Sequence, residues 1–94
     1  MRVITKKRLT DFYTKHAAAR APLAFWYRVI SDSYFEDFND LRNAFRRVDY
    51  VKNLYVFDVG SSRLIAAIHF NRQIVYVRHV LTHEEYDQGK WKDK

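Results

Sequence analysis

At 94 residues the chain has the length of a single domain, residues 1–94, and its 48% hydrophobic content with seven Tyr, seven Phe and two Trp can fill a small core. Seventeen Lys and Arg against eleven Asp and Glu give a formal charge of +6, which favours polyanions or an acidic partner protein. The absence of cysteine excludes disulfides and thiolate metal ligands. No apolar run approaches the roughly 18 residues of a membrane span and no export signal is seen, so a soluble, cytoplasmic place is expected.

In chain order, "RVIT" at residues 2–5 reads as a short strand, with Thr5 placed to cap the helix that follows. From Lys6 to about Ala19, Leu9, Phe12, Tyr13 and His16 or Ala17 recur at helical spacing, with Lys and Arg on the outer face. Pro22 suits the first turn of a second helix over residues 22–31, where its missing N–H is harmless; Leu23, Trp26, Tyr27 and Ile30 form its inner stripe. A short helical pattern follows, with Phe38, Leu41, Ala44 and Phe45 inward. After "RRVDYVKN" the period changes from 3.6 to 2, and three strands are expected over residues 54–59, 63–70 and 74–81. Gly60-Ser61 and Asn71-Arg72 are the expected two-residue hairpin loops.

The fold class is therefore α+β, in the order β-α-α-(short α)-β-β-β. Two helices pack on one face of a small antiparallel sheet, and the other face stays open. Alternation sorts the side chains. Leu64, Ala66, Ile68 and Phe70 should face the helices, with Val75, Val77, His79 and Leu81. Arg63, Ile65, Ala67 and His69 should lie on the open face with Ile74, Tyr76, Arg78 and Val80. In that register Arg63 and Arg78 are diagonal neighbours. Two such guanidiniums need an anion between them: a phosphate, or Asp58 on the adjoining strand.

The last strong pattern closes with "YVRHVLTHEEYD", residues 76–87. Thr82 and Glu85 have capping-box spacing, so a short C-terminal helical turn starts at His83, and Leu81 with Tyr86 can form a hydrophobic staple. His79 and His83 are four apart, but one is on a strand and the other begins a helix, which does not suit a metal pair. No metal or other cofactor is expected. What the cap leaves unexplained is the His83 ring and the Tyr86 hydroxyl. An imidazole, a phenol and two guanidiniums on one surface would suit RNA cleavage without a metal: a base for the 2′-OH, cations for the phosphorane and an acid for the leaving 5′ oxygen.

Taken together, "DLRNAF", "YVFDVG", "RLIAAIHF" and "VYVRHVLTHEEYD" followed by "WK" resemble the HigB-type toxins of bacterial type II toxin–antitoxin modules, in the RelE/ParE-like superfamily. The resemblance implies a RelE-like fold and an mRNA interferase, generally ribosome-dependent, that cuts by 2′-OH attack to leave a 2′,3′-cyclic phosphate and a 5′-OH. It implies as partners mRNA, the ribosome and a HigA-type helix-turn-helix antitoxin, through which alone operator DNA would be bound. Carried onto this chain, it assigns the scissile phosphate to Arg63 and Arg78, proton transfer to His83, and base stacking or backbone orientation to Tyr86. His69, Tyr76, Lys90 and Lys92 are the accompanying RNA contacts. Where relatives commonly carry a longer loop with a Gly-Asn element before the middle strand, this chain has only "GSS". Gyrase poisons share the superfamily, so a ParE-like toxin and a non-catalytic basic nucleic-acid-binding module are the alternatives.

Overall fold

A computed structural model describes residues 1–93. Five strands, β1 (Arg2–Ile4), β2 (Asp49–Val51), β3 (Leu54–Val59), β4 (Ser62–His69) and β5 (Ile74–Thr82), form one sheet in the order β1-β5-β4-β3-β2. Four α-helices accompany them: α1 (Lys7–Lys15), α2 (Arg20–Asp32), α3 (Phe38–Ala44) and α4 (His83–Gln88). The expected α+β architecture is present, but the sheet is mixed. β1 runs parallel to β5, whereas the other pairs are antiparallel. The helical layer between β1 and the rest supplies the long crossover that parallel pairing requires.

The fifth strand is β2, hidden in "RRVDYVKN", which reads as a connector. It pairs with β3 through the two-residue turn Lys52-Asn53, both at positive φ (52° and 66°), the geometry of a type I′ hairpin. Asn tolerates that region and Lys does not favour it, so the turn carries only half of its usual signal. Gly60-Ser61 closes the β3–β4 hairpin as expected, with Gly60 at φ 59°. A Cβ on Gly60 would lie 3.1 Å from Pro22 Cγ and 3.3 Å from Pro22 Cβ, so the turn is also pressed against α2. Gly60→Ala is expected to cost more than about 1 kcal/mol, from strain at positive φ plus this contact. Urea unfolding measures it; an unchanged midpoint would show that the turn relaxes freely.

Between β4 and β5 the register is as expected, His69 facing Ile74 and Ala67 facing Tyr76. The loop is Phe70–Gln73 rather than Asn71-Arg72 alone, and its positive-φ residue is Gln73. That residue earns its place through its side chain: Gln73 Nε2 donates to the Phe35 and Phe70 carbonyls (2.6 and 2.7 Å) and Oε1 accepts from Phe35 N–H (3.2 Å).

Among the helices, α1 stops at Lys15, short of the expected Ala19, because His16 leaves helical geometry (φ −126°, ψ 79°). A short 3₁₀ turn, Ala17–Ala19, then redirects the chain and buries Ala19. Thr5 makes no side-chain cap. Pro22 is in the first turn of α2, and Leu23, Trp26 and Ile30 are its buried stripe, as the spacing predicts. The main core joins these to Leu9, Leu41, Phe57, Leu64, Ala66, Val75 and Val77, with Trp26 edge-on to Phe57 at 5.4 Å.

The face expected to lie open is in fact half covered. Leu54, Val56 and Ile65 form a second small core with Trp91, and Val51, Ala67, Leu81 and Tyr86 pack around it. Trp91, carried by a 3₁₀ turn after α4, is only 3% exposed and donates from Nε1 to the Tyr86 carbonyl at 3.3 Å. The C-terminal segment thus folds back over the sheet. Ile65, wholly buried, decides the point.

Candidate active site

The polar set gathers where β3, β4 and the start of α4 meet. Arg63 and Asp58 face each other across the β3–β4 ladder, and Arg63 donates from Nη1 to Asp58 Oδ1 at 2.9 Å. Asp58 also accepts from Arg47 Nη1 at 3.3 Å, so one carboxylate serves two guanidiniums. The Arg63 side chain is 20% exposed and its guanidinium lies 5.6 Å over the ring of Tyr86. Arg47, Asp49, Val56, Asp58, Arg63 and Tyr86 line a cleft of about 390 Å³.

Tyr86 is held over Arg63 from two sides. Below, α4 starts on the capping box expected for it: Glu85 N–H donates to Thr82 Oγ1 at 3.1 Å and Thr82 N–H to Glu85 Oε1 at 2.9 Å. Leu81 and Tyr86 both pack on the second core, as a staple requires. Behind, the Trp91 ring stacks on Tyr86 at 5.4 Å and 15°. The helix ends on Gly89 in the left-handed region (φ 73°), which turns the chain so that Trp91 can reach back.

His83, the first residue of α4, is exposed and its Nε2 lies 3.1 Å from Asp87 Oδ2, one turn on. Residues three and four apart are neighbours on a helix surface, so His83, Tyr86 and Asp87 form one patch. A carboxylate beside an imidazole fixes the orientation of the ring. Asp87 was missed by the sequence reading, although its i, i+4 spacing from His83 is visible once the helix start is placed. Arg47 was missed too, because it lies in the segment read as a connector.

Arg78 is a correction. A β-bulge between Ile65 and Ala66 makes it the extra residue of β5: Ala66 pairs with Val77 and Ile65 with His79. The bulge shifts every later position by one. His79 therefore lies opposite Ile65 and Leu81 opposite Arg63, on the face of the second core, while Val80 pairs with Leu64 and packs on the main core. Each of these three takes the side opposite to that expected. Arg78 is exposed, has no ion pair among the described residues, and is not the diagonal neighbour of Arg63. The Asp58 carboxylate, one of the anions expected beside Arg63, is in contact with it.

His69 and Tyr76 do meet, ring edge to ring face at 5.4 Å. His69 is six steps along β4 from Arg63, about 20 Å at roughly 3.3 Å per residue, so the pair belongs to the far end of the sheet. Lys90 and Lys92 follow α4, and the Lys92 ammonium sits 5.6 Å over the Trp91 ring. Among the described residues no three of His, Cys, Asp and Glu cluster as metal ligands would. Nor is any helix long and apolar enough to cross a membrane.

Comparison with known proteins gives a consistent result. The family model described as HigB toxin, RelE-like toxic component of a toxin–antitoxin system, matches residues 19–89. The mRNA interferase toxin HigB of Escherichia coli (strain K12) is 36% identical over 92 residues, covering 93% of this chain and 88% of that protein. The mRNA interferase HigB of Shigella flexneri matches to the same extent. That of Escherichia coli O6:H1 is 33% identical over 93 residues, 94% and 90% of the two chains.

Proposed function

Because the chain belongs to the HigB toxin family, the RelE-like toxic component of a toxin–antitoxin system, we propose that it is an mRNA interferase, an endoribonuclease that arrests translation. The observation that supports this most is likeness to proteins named mRNA interferases over 93% of the chain. The cleft and the His83–Asp87 pair on the surface of α4 supply groups suited to the chemistry. In the reaction proposed, the 2′ oxygen attacks the adjacent phosphorus, the P–O5′ bond breaks, and the products are a 2′,3′-cyclic phosphate and a 5′-OH. His83, oriented by Asp87, handles a proton: it takes that of the 2′-OH or returns one to the departing O5′. Arg63, aimed by Asp58, meets the charge that builds on the phosphorane. Tyr86 offers its ring to a base or its hydroxyl to the sugar–phosphate.

Arg78 contacts the RNA backbone from the bulge, away from the Arg63 cleft. His69 and Tyr76 take a nucleotide some way along the strand, and Lys90 and Lys92 neutralise phosphate near α4. We propose further that cleavage occurs on the ribosome in the cytoplasm, and that a HigA-type helix-turn-helix antitoxin neutralises the toxin and alone connects it to operator DNA.

The test is induction in bacteria of the wild type and of His83→Ala/Arg63→Ala, followed by mapping of mRNA 5′ ends. New 5′-OH ends within coding regions are expected from the wild type and not from the variant. Growth arrest without such ends would remove the interferase reading and leave a gyrase poison. Ends made equally by the variant would remove this site.

A further inference from the structure

Away from the cleft, α3 carries a basic stripe to which nothing above gives a role. Asn39, Arg42 and Asn43 of α3 and Arg46 in the turn just after it are all exposed and line a groove of about 370 Å³. The nearby acids are otherwise engaged. Asp37 caps the helix by accepting from Asp40 N–H (3.0 Å), and Asp40 Oδ2 accepts from Glu36 N–H (3.0 Å). Neither lines the groove, and among the described residues neither Arg42 nor Arg46 has an ion pair. Two guanidiniums lining one groove repel one another, and two carboxamides beside them add donors without charge. The surface is built to receive an anion with several oxygens.

An aromatic flank adds an independent observation. The Arg42 guanidinium lies 5.7 Å over the Phe38 ring, and Phe38 is 6.2 Å from Tyr50. Tyr50 is 51% exposed, yet its ring is fixed: it packs on Tyr55 at 4.8 Å and its hydroxyl donates to Asn53 Oδ1 at 3.0 Å. Burial, and then the nearness of Tyr50, push the Tyr55 hydroxyl up from its ordinary pKa. An exposed aromatic ring next to the Phe38 ring that carries the Arg42 guanidinium offers a face on which an unpaired base can stack. Continuity supplies the third link. Arg46 lines this groove, while the next residue, Arg47, reaches into the cleft to Asp58. A strand leaving the cleft past Arg47 arrives at Arg46 and Arg42 with Tyr50 alongside.

We propose that the Asn39–Arg42–Asn43–Arg46 groove and Tyr50 form a second RNA site, which holds the sugar–phosphate backbone and one unpaired base of single-stranded RNA beyond the cleavage cleft. The proposal rests on the endoribonuclease reading, and its ligand class follows from the pairing of guanidiniums with a stacking ring. An acidic peptide would use the charges and leave the ring idle.

The probe is a fluorescein-labelled single-stranded 20-nucleotide RNA of mixed sequence, with anisotropy read over a range of salt. The parent is the full chain carrying His83→Ala, so that the RNA stays intact. Adding Arg42→Gln/Arg46→Gln is expected to weaken binding about tenfold and to lower the slope of log K against log salt by about 1.4, two phosphate contacts at roughly 0.7 each. Adding Tyr50→Ala is expected to weaken binding about tenfold with the salt slope unchanged, and Tyr50→Phe to restore most of it. Thermal melts of the glutamine variant within a few degrees of the parent exclude misfolding; should it melt early, Arg42→Lys/Arg46→Ala serves instead, with the slope lowered by about 0.7 for the one cation removed. Unchanged affinity and slope in the charge variant would overturn the proposal, as would a parent that does not bind the RNA. Neither result touches the cleavage reading, which the mapping of mRNA ends decides by itself.

Discussion

Replacing Trp91 with alanine is expected to destabilise the protein by about 3–5 kcal/mol, a large share of the roughly 5–15 kcal/mol that holds a small domain folded. Trp91 is one of four buried residues of the second core, and a tryptophan buries about 150–250 Å². Without it Leu54, Val56 and Ile65 lose their cover on that side of the sheet. The indole is also the support behind Tyr86, so cleavage should fall as well, even at temperatures where the variant is folded. Trp91→Phe keeps the apolar cover and gives up the Nε1 bond to the Tyr86 carbonyl, so it should recover more than half of the lost stability. Urea unfolding followed by tryptophan-independent far-UV circular dichroism measures this. A Trp91→Ala variant as stable as the wild type would mean that the C-terminal segment is dispensable to the sheet.

Arg63→Ala is expected to lower kcat/KM for RNA cleavage by about 100-fold or more, the scale of removing a fixed donor from a developing oxyanion. Arg63→Lys should recover little, because an ammonium cannot bond Asp58 and a phosphate oxygen with the same planar fork. The change in stability should be small beside this, about 1–2 kcal/mol, since Asp58 keeps Arg47 as a partner. Arg78→Ala should cost about tenfold and combine with Arg63→Ala additively, because the two arginines share no partner. Single-turnover cleavage of one RNA by the wild type, the three single variants and the double variant provides the numbers. An Arg63→Ala enzyme of wild-type rate would dismiss the cleft; strong non-additivity would show that the bulge does not separate the two charges.

The difference between the two arginines shows how far local pattern reaches. Strand alternation places Arg63 correctly, because β4 runs unbroken from Ser62 to His69 and the parity of its side chains is kept. The same rule fails on β5 from Arg78 onward, since one unpaired residue reverses the parity of all that follow. A bulge at Arg78 has no local mark: no glycine or proline stands there. It is decided by how β5 packs on both cores at once, Val77 and Val80 to one side, Leu81 to the other. For the same reason Asp87 beside His83 was legible as a spacing on a helix, whereas Arg47 beside Asp58 required knowing that Asp49–Val51 is a strand.

What the sequence determined by itself is what depends on neighbours within about one turn or one hairpin. The buried stripe of α2, the Gly60-Ser61 hairpin, the Thr82–Glu85 capping box and the β-rich second half all follow from short-range sterics and hydrogen bonding. Tertiary structure alone decided the parallel docking of β1 on β5 and the folding of Trp91 over the sheet. Each of those brings together residues far apart in the chain. Their cost is loop closure and their gain is apolar area buried on the far side of the sheet, and neither quantity is written in a window of a dozen residues.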